Sequence, residues 1–206
     1  MIRETRTIML DGVGGQGIIM ASKILIDGLI QADYDVKSSE VHGMAQRGGS
    51  VITQLRYGDR VYSSLVGEGA VDVLFAMEKL EAMRYAHFLK KDGLLLMNEM
   101  EIPPASVLTG ESSYPGDINE RLGALPVKFF PIAAEAKARE LGNVRVMNVI
   151  MAGALIKLIG LADDLDWSAV VTAAVKPQYK ELNLEAFRSG MELVRHSRPQ
   201  VLVCNR

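Results

Sequence analysis

Residues 5–30 read TRTIMLDGVGGQGIIMASKILIDGLI, and the fold follows from how this stretch is parsed. Thr5 to Leu10 is a short strand candidate, apolar at Ile8, Met9 and Leu10, that passes straight into DGVGGQG, after which Ile18, Met20, Ile24, Leu25 and Leu29 recur at helical spacing as far as Ile30. The order is strand, glycine turn, helix. Gly12, Gly14 and Gly17 satisfy G-x-G-x-x-G in that context, with Gly15 and Gln16 enriching the turn. Glycines let a backbone approach an anion closely, and the charge is then met by N–H groups and the positive end of the helix dipole. The same glycines also suit a tight packing turn, so the turn alone leaves both readings open.

Working outward, Tyr34 to Ser38 reads as a second strand. Ser50 to Tyr57 alternates Val51, Thr53, Leu55 and Tyr57 against Ile52, Gln54 and Arg56, and Gly58-Asp59 then turns into Arg60 to Ser63, which predicts a β-hairpin. Val71 to Met77, apolar apart from Asp72, is a run of the kind found in a strand covered on both faces. Glu81 to Leu89 reads as helix, Gly93 to Met97 as a buried strand, 103–116 as a loop and Val127 to Phe130 as a short strand. Pro131 is placed to open a helix over Ala133 to Leu141. Val146 to Ile159 is apolar nearly all round and should be buried. Trp167 to Val175 and Leu184 to Arg195 complete a helical C-terminal portion. This alternation predicts an α/β fold: a Rossmann-like, open, mostly parallel twisted sheet flanked by helices, with a hairpin, in a single domain over 1–206.

Composition narrows the function. The 206 residues are 49% hydrophobic, enough for a packed core, and Lys+Arg 23 against Asp+Glu 25 gives a net charge of −2 without a dense basic run. Nucleic-acid binding is therefore not expected. A single cysteine, Cys204, can form no internal disulfide and cannot supply the four thiolates of an iron–sulfur cluster. His42, His87 and His196 lack metal-ligand spacing, so no metal site is expected. No apolar stretch is long enough to span a bilayer and no signal layout is visible, so the expectation is a soluble cytoplasmic protein.

A second polar loop follows the second strand: Glu40-Val-His-Gly-Met-Ala-Gln-Arg-Gly-Gly49. Ligands of open parallel sheets sit beyond the carboxyl ends of the strands, where this loop and the glycine turn should meet. Arg47 suits a phosphate or carboxylate because its planar fork donates two parallel hydrogen bonds, and Gly48-Gly49 beside it suggest close approach of a ligand or another backbone. His42 offers a proton shuttle or hydrogen-bond donor and Gln46 an orienting amide, although no nucleophile accompanies them. Glu40 stands near the place where a dinucleotide fold carries the acid that binds a ribose hydroxyl. Asn148, the polar residue of an apolar helix, must find partners, and structural support is the favoured reading.

Together, Asp11-Gly-Val-Gly-Gly-Gln-Gly17 and Ser39-Glu-Val-His-Gly-Met-Ala-Gln-Arg-Gly-Gly49 closely resemble the gamma-type domain of the 2-oxoacid:ferredoxin oxidoreductase family, and the His-Gly-Met-x-Gln-Arg-Gly-Gly version looks like the beta subunit of its indolepyruvate branch. The similarity continues through Val71 to Ala76, Glu81 to Tyr85, the Asn148 helix and Asn183 to Arg188. The resemblance implies a hetero-oligomer: an alpha subunit carries thiamine diphosphate with Mg and iron–sulfur clusters, decarboxylates an aryl 2-oxoacid and passes electrons to ferredoxin, with coenzyme A as co-substrate. It implies that Gly12, Gly14, Gly15, Gln16 and Gly17 form the anion-receiving turn, while Glu40 is a cofactor-binding candidate from its place at the end of the second strand. It implies also that His42, Gly43, Met44, Gln46, Arg47, Gly48 and Gly49 form the facing loop, where His42, Gln46 and Arg47 are the candidates for chemistry. The chain itself has no Gly-Asp-Gly followed by Asn at thiamine-enzyme spacing, so it should hold no cofactor alone and be catalytically incomplete. Two rivals stay open: a stand-alone dinucleotide-binding protein, and a structural subunit whose glycine loops only shape an interface.

Overall fold

A computed structural model describes residues 3–42 and 49–195, with only the backbone of His42. Among the described residues six strands, β1 (Arg6–Val13), β2 (Asp35–His42), β3 (Ser50–Gly58), β4 (Val71–Ala76), β5 (Leu89–Asn98) and β6 (Lys128–Ile132), form one sheet in the order β2-β3-β1-β4-β5-β6. The strands β1, β4, β5 and β6 run parallel, whereas β3 is antiparallel to both β1 and β2.

The predicted hairpin exists with a different partner. β3 pairs back onto β2 across the second polar loop, and residues 60–63 form no strand. Side chains explain why: Arg56 donates to the Ser63 carbonyl (3.0 Å), while Asp35 and Gln54 accept from the Val61 and Val66 amides (2.8 and 3.1 Å). Those contacts lay the 59–66 segment over the strands it was expected to extend. Pro131 is a second correction, since it lies inside β6 rather than opening a helix. β6 is an edge strand, where a residue without an N–H breaks no ladder. The 103–116 excursion contains the short helix α3 (Ala105–Leu108) where only loop was expected.

Helices cover both faces. On one face α1 (Ile18–Gln31), α5 (Ala134–Glu140), α6 (Met147–Leu158), α7 (Trp167–Ala174) and α8 (Lys180–Arg195) close over Ile8, Leu10, Leu55 and Phe75. On the other, α2 (Lys79–Tyr85) and α4 (Ile118–Gly123) cover Met9, Leu74, Leu95 and Phe129. β4 is buried on both faces except at Asp72, which is half-buried and accepts from the Thr7 N–H (2.8 Å). The apolar helix α6 is buried from Met147 through Ile156, with α8, α5 and α1 against it.

Two glycines bring α6 and α8 to backbone contact. A Cβ added at Gly153 would stand 2.1 Å from the Phe187 carbonyl oxygen, and one at Gly190 would stand 1.9 Å from that of Ile150. No side chain fits between the helices there. Gly28 of α1 likewise yields its side-chain space to the Trp167 ring, whose Nε1–H donates to the Leu161 carbonyl (2.7 Å).

Among the described residues, no helix is long and apolar enough to cross a membrane.

Candidate functional site

The glycine turn stands at the carboxyl end of β1, and each of its residues has a separate physical task. Gly12 has no room for a side chain: a Cβ would lie 2.7 Å from Gln16 Oε1, 2.8 Å from Met77 Cβ and 2.9 Å from Ile18 Cδ1. Gly15 has φ +103° and, among the described residues, nothing within 4 Å of its missing Cβ, so it is there for its backbone conformation. Gly17, at φ +81°, is the cap of α1 and offers its first turn no side-chain oxygen. The first amides of α1 therefore point out of the helix with the positive end of the dipole, and no acidic residue stands in that turn. This is the electrostatic arrangement a phosphate or carboxylate would meet.

Gln16 behaves differently from a ligand-binding amide. Its Oε1 accepts from the Val13 N–H (2.7 Å), and its Nε2 donates to the Met77 carbonyl (3.0 Å) and to Met100 Sδ (3.4 Å). The amide is committed to tying the turn to the end of β4. Asn98 Nδ2 reaches the same Met77 carbonyl (3.2 Å), and its Oδ1 accepts from the Glu135 amide at the start of α5 (3.3 Å). Gln16→Ala should accordingly lower unfolding free energy by about 1–3 kcal/mol, because it orphans the partly buried Val13 N–H, while the Met77 carbonyl keeps its donor in Asn98. Urea unfolding checks this; unchanged stability would mean that the side chain is held by nothing in the fold.

Asn148 takes the structural role favoured from sequence. Its Nδ2 donates to the Gly17 carbonyl (3.0 Å) and its Oδ1 accepts from the Val149 amide (2.9 Å), so the first turn of α6 supports the turn from beneath. The contact also explains Gly17, where a Cβ would stand 2.5 Å from Asn148 Nδ2.

The second loop returns to the same end of the sheet. β1 ends at Val13 opposite Ser50, and β2 ends at His42 opposite Val51. Gly49, the last residue of that loop, accepts the Gly14 N–H at its carbonyl oxygen (2.8 Å), so the two glycine motifs are joined by a backbone hydrogen bond. Gly43, Met44, Gln46, Arg47 and Gly48 lie outside the described residues, as does the His42 side chain. Glu40 is exposed on β2. Because β3 intervenes between β2 and β1, Glu40 is two strand spacings, about 10 Å, from the strand that carries the glycine turn. A ribose-binding acid would be expected on the strand adjacent to β1, which counts against the dinucleotide reading.

Beneath the loops lies an acidic cluster that sequence reasoning missed. Asp11, Glu78 and Glu81 are all buried. Glu78 caps α2 through the Glu81 N–H (2.9 Å) and also accepts from the Ile102 N–H (3.0 Å) and the Tyr114 hydroxyl. Burial and that bond to Glu78 push the Tyr114 phenol far up, so it remains a neutral donor. Glu81 binds Arg84 Nη1 (2.8 Å) and the Ser50 hydroxyl (2.5 Å). Asp11 is fully buried, and among the described residues neither carboxyl oxygen has a hydrogen-bond partner. Burial first, then Glu81 and Glu78, raises its pKa well above the ordinary carboxylate value. The sequence signals were an acid interrupting the apolar run of β1 and an acid three residues before Glu81 at a helix start.

Residues 7–193 match the family model described as pyruvate ferredoxin/flavodoxin oxidoreductase. The chain belongs to that family. Indolepyruvate oxidoreductase subunit IorB of Pyrococcus horikoshii is 39% identical over 192 residues, covering 90% of this chain and 94% of the relative. The 2-oxoglutarate synthase subunit KorC of Methanothermobacter thermautotrophicus is 30% identical over 203 residues, covering 94% and 97%. Relatives in this oxidoreductase family are thus subunits of larger enzymes, and their named substrates differ. The fold matches that of 2-oxoglutarate:ferredoxin oxidoreductase from Magnetococcus marinus, solved with 2-oxoglutarate, coenzyme A and succinyl-CoA bound. The TM-score is 0.73 at 20% identity, over 96% of this chain and 34% of that one. In this chain β1 and its glycine turn stand at the centre of the sheet, with the second loop's end beside the turn. Among the described residues no group of three or more His, Cys, Asp or Glu could hold a metal ion.

Proposed function

We propose that this chain is the small subunit of an aryl-2-oxoacid ferredoxin oxidoreductase, of the indolepyruvate type, and that its two glycine loops help bind coenzyme A and complete the active site of a larger subunit. The observation that carries the reading is the hydrogen bond from the Gly14 N–H to the Gly49 carbonyl, which joins the two motif halves beside the uncapped start of α1. Anionic groups of coenzyme A would meet the backbone of Gly15 and the first amides of α1. Arg47 would add a bidentate donor, with Gln46 and His42 as polar neighbours. Identity to an indolepyruvate oxidoreductase subunit supports the aryl substrate.

Thiamine diphosphate, Mg and iron–sulfur clusters belong to the partner in this reading, which fits a chain whose one cysteine is Cys204. Bound there, they supply decarboxylation and electron transfer to ferredoxin. This chain's part is to present donors to a charged co-substrate and to help exclude water around the reacting centre.

Co-expression with the larger subunit should give arylpyruvate-dependent reduction of ferredoxin or a viologen dye that requires coenzyme A. Full activity from the larger subunit alone overturns the proposal. Tight NAD binding by calorimetry, with no effect of coenzyme A, would return the dinucleotide reading.

A further inference from the structure

The bond between the turn and the second loop is one backbone contact, and its length depends on where Gly49 is held. Ser50, the next residue, has its hydroxyl between two groups of α2: Glu81 Oε2 at 2.5 Å and the Tyr85 hydroxyl at 3.0 Å. A serine hydroxyl has one proton. With that proton donated to the Glu81 carboxylate, Tyr85 must be the donor to Ser50 Oγ, which fixes the direction of the chain Tyr85 to Ser50 to Glu81. Glu81 is 4% exposed, and its other oxygen is occupied by Arg84.

A buried carboxylate is costly to place, and a serine at the root of a polar loop could be hydrated instead. Here the acid has satisfied oxygens and a short, charge-assisted bond to the residue that follows the loop. Ser50 is opposite Val13, the last residue of β1, so the anchor acts where the glycine turn begins. Gly49 is thereby held from both sides: by Gly14 through its own carbonyl and by α2 through Ser50.

We propose that Ser50, Glu81 and Tyr85 are positioning residues that set the spacing between the glycine turn and the end of the second loop, and so tune the affinity for coenzyme A. The proposal rests on the reading of the two loops as one coenzyme A site. The trio itself touches neither ligand nor reacting atoms.

The test uses the complex reassembled with its larger subunit. Ser50→Ala and Glu81→Leu, which each remove one partner of the Ser50–Glu81 bond, should raise hydrogen exchange at the Gly14 amide roughly tenfold, the factor that corresponds to loss of one ordinary hydrogen bond. The KM for coenzyme A should rise about five- to tenfold while kcat stays within about twofold, the pattern for lost ground-state binding. Ser50→Thr keeps the hydroxyl and should restore both. Unchanged exchange at Gly14 in both variants overturns the anchor, and raised exchange with an unchanged KM overturns the positioning role. Failure of the underlying reading is seen separately, as turnover of the wild-type complex that does not depend on coenzyme A.

Discussion

Gly190→Val should lower the unfolding free energy by about 3 kcal/mol or more, the upper end of what overpacking usually costs. The Cβ would stand 1.9 Å from the Ile150 carbonyl oxygen and 3.0 Å from the Ala154 nitrogen, and both are backbone atoms of α6 that cannot rotate aside. Contacts under 3.0 Å are essentially never seen for a real Cβ, so the two helices would have to separate. Separation would strip apolar contacts from Phe187 and from α6, which is buried along most of its length. At roughly 2–4 °C per kcal/mol for a domain of this size, Tm should fall by about 6–12 °C. Gly116→Ala is the control: among the described residues nothing lies within 4 Å of its Cβ position, and the change should be near neutral. Scanning calorimetry of the two variants decides it. A Tm for Gly190→Val equal to that of the control would mean that α6 and α8 do not meet at this glycine. Because α6 carries Asn148 to the Gly17 carbonyl, the substitution should also loosen the glycine turn.

The sequence made some of this legible and hid the rest for identifiable reasons. Apolar periodicity and the glycine turn located β1, α1, β3, β4 and α6, because each is governed by a pattern local to its own segment. Strand pairing is not local. Period-2 alternation in 50–57 shows a half-buried strand equally well whether its partner precedes or follows it, so β2 could not be distinguished from 60–63. The side chains of Asp35, Gln54 and Arg56 decide the matter. Gly12, Gly14 and Gly17 look equivalent in the motif, yet one makes room for Gln16, one bonds to Gly49 and one adopts positive φ over Asn148. Gln16 was expected to face an anion, but a side-chain amide one turn from Val13 can equally close the turn on itself. The acidic cluster was invisible because its members come from 11 and from 78–81, brought together only by the pairing of β1 with β4.

Asp11→Asn should stabilise the protein, and the gain should grow with pH. The folded-state pKa of Asp11 is raised, the reverse of the usual case for aspartate, so the sign must be followed through. An unfolded chain releases this proton near pH 3.9, whereas the folded chain holds it to a higher pH. Between the two pKa values the folded state binds more protons than the unfolded state, and folding stability therefore falls as pH rises. The loss begins above the unfolded value and continues until the folded group titrates, at about 1.4 kcal/mol per pH unit for one proton. The groups facing the carboxyl do not offset it: Glu81 and Glu78 repel its charge, and Arg84, already paired with Glu81, is the smallest of the causes acting on it. Asparagine keeps the shape without the charge. Urea unfolding of the variant and the wild type at pH 5, 6, 7 and 8 should give two curves that diverge upward for the variant. A constant difference across that range would show that Asp11 does not change its proton occupancy on folding. Divergence would establish that the end of β1 carries a buried acid at a cost to stability, immediately beneath the turn that Gln16 and Asn148 hold in place.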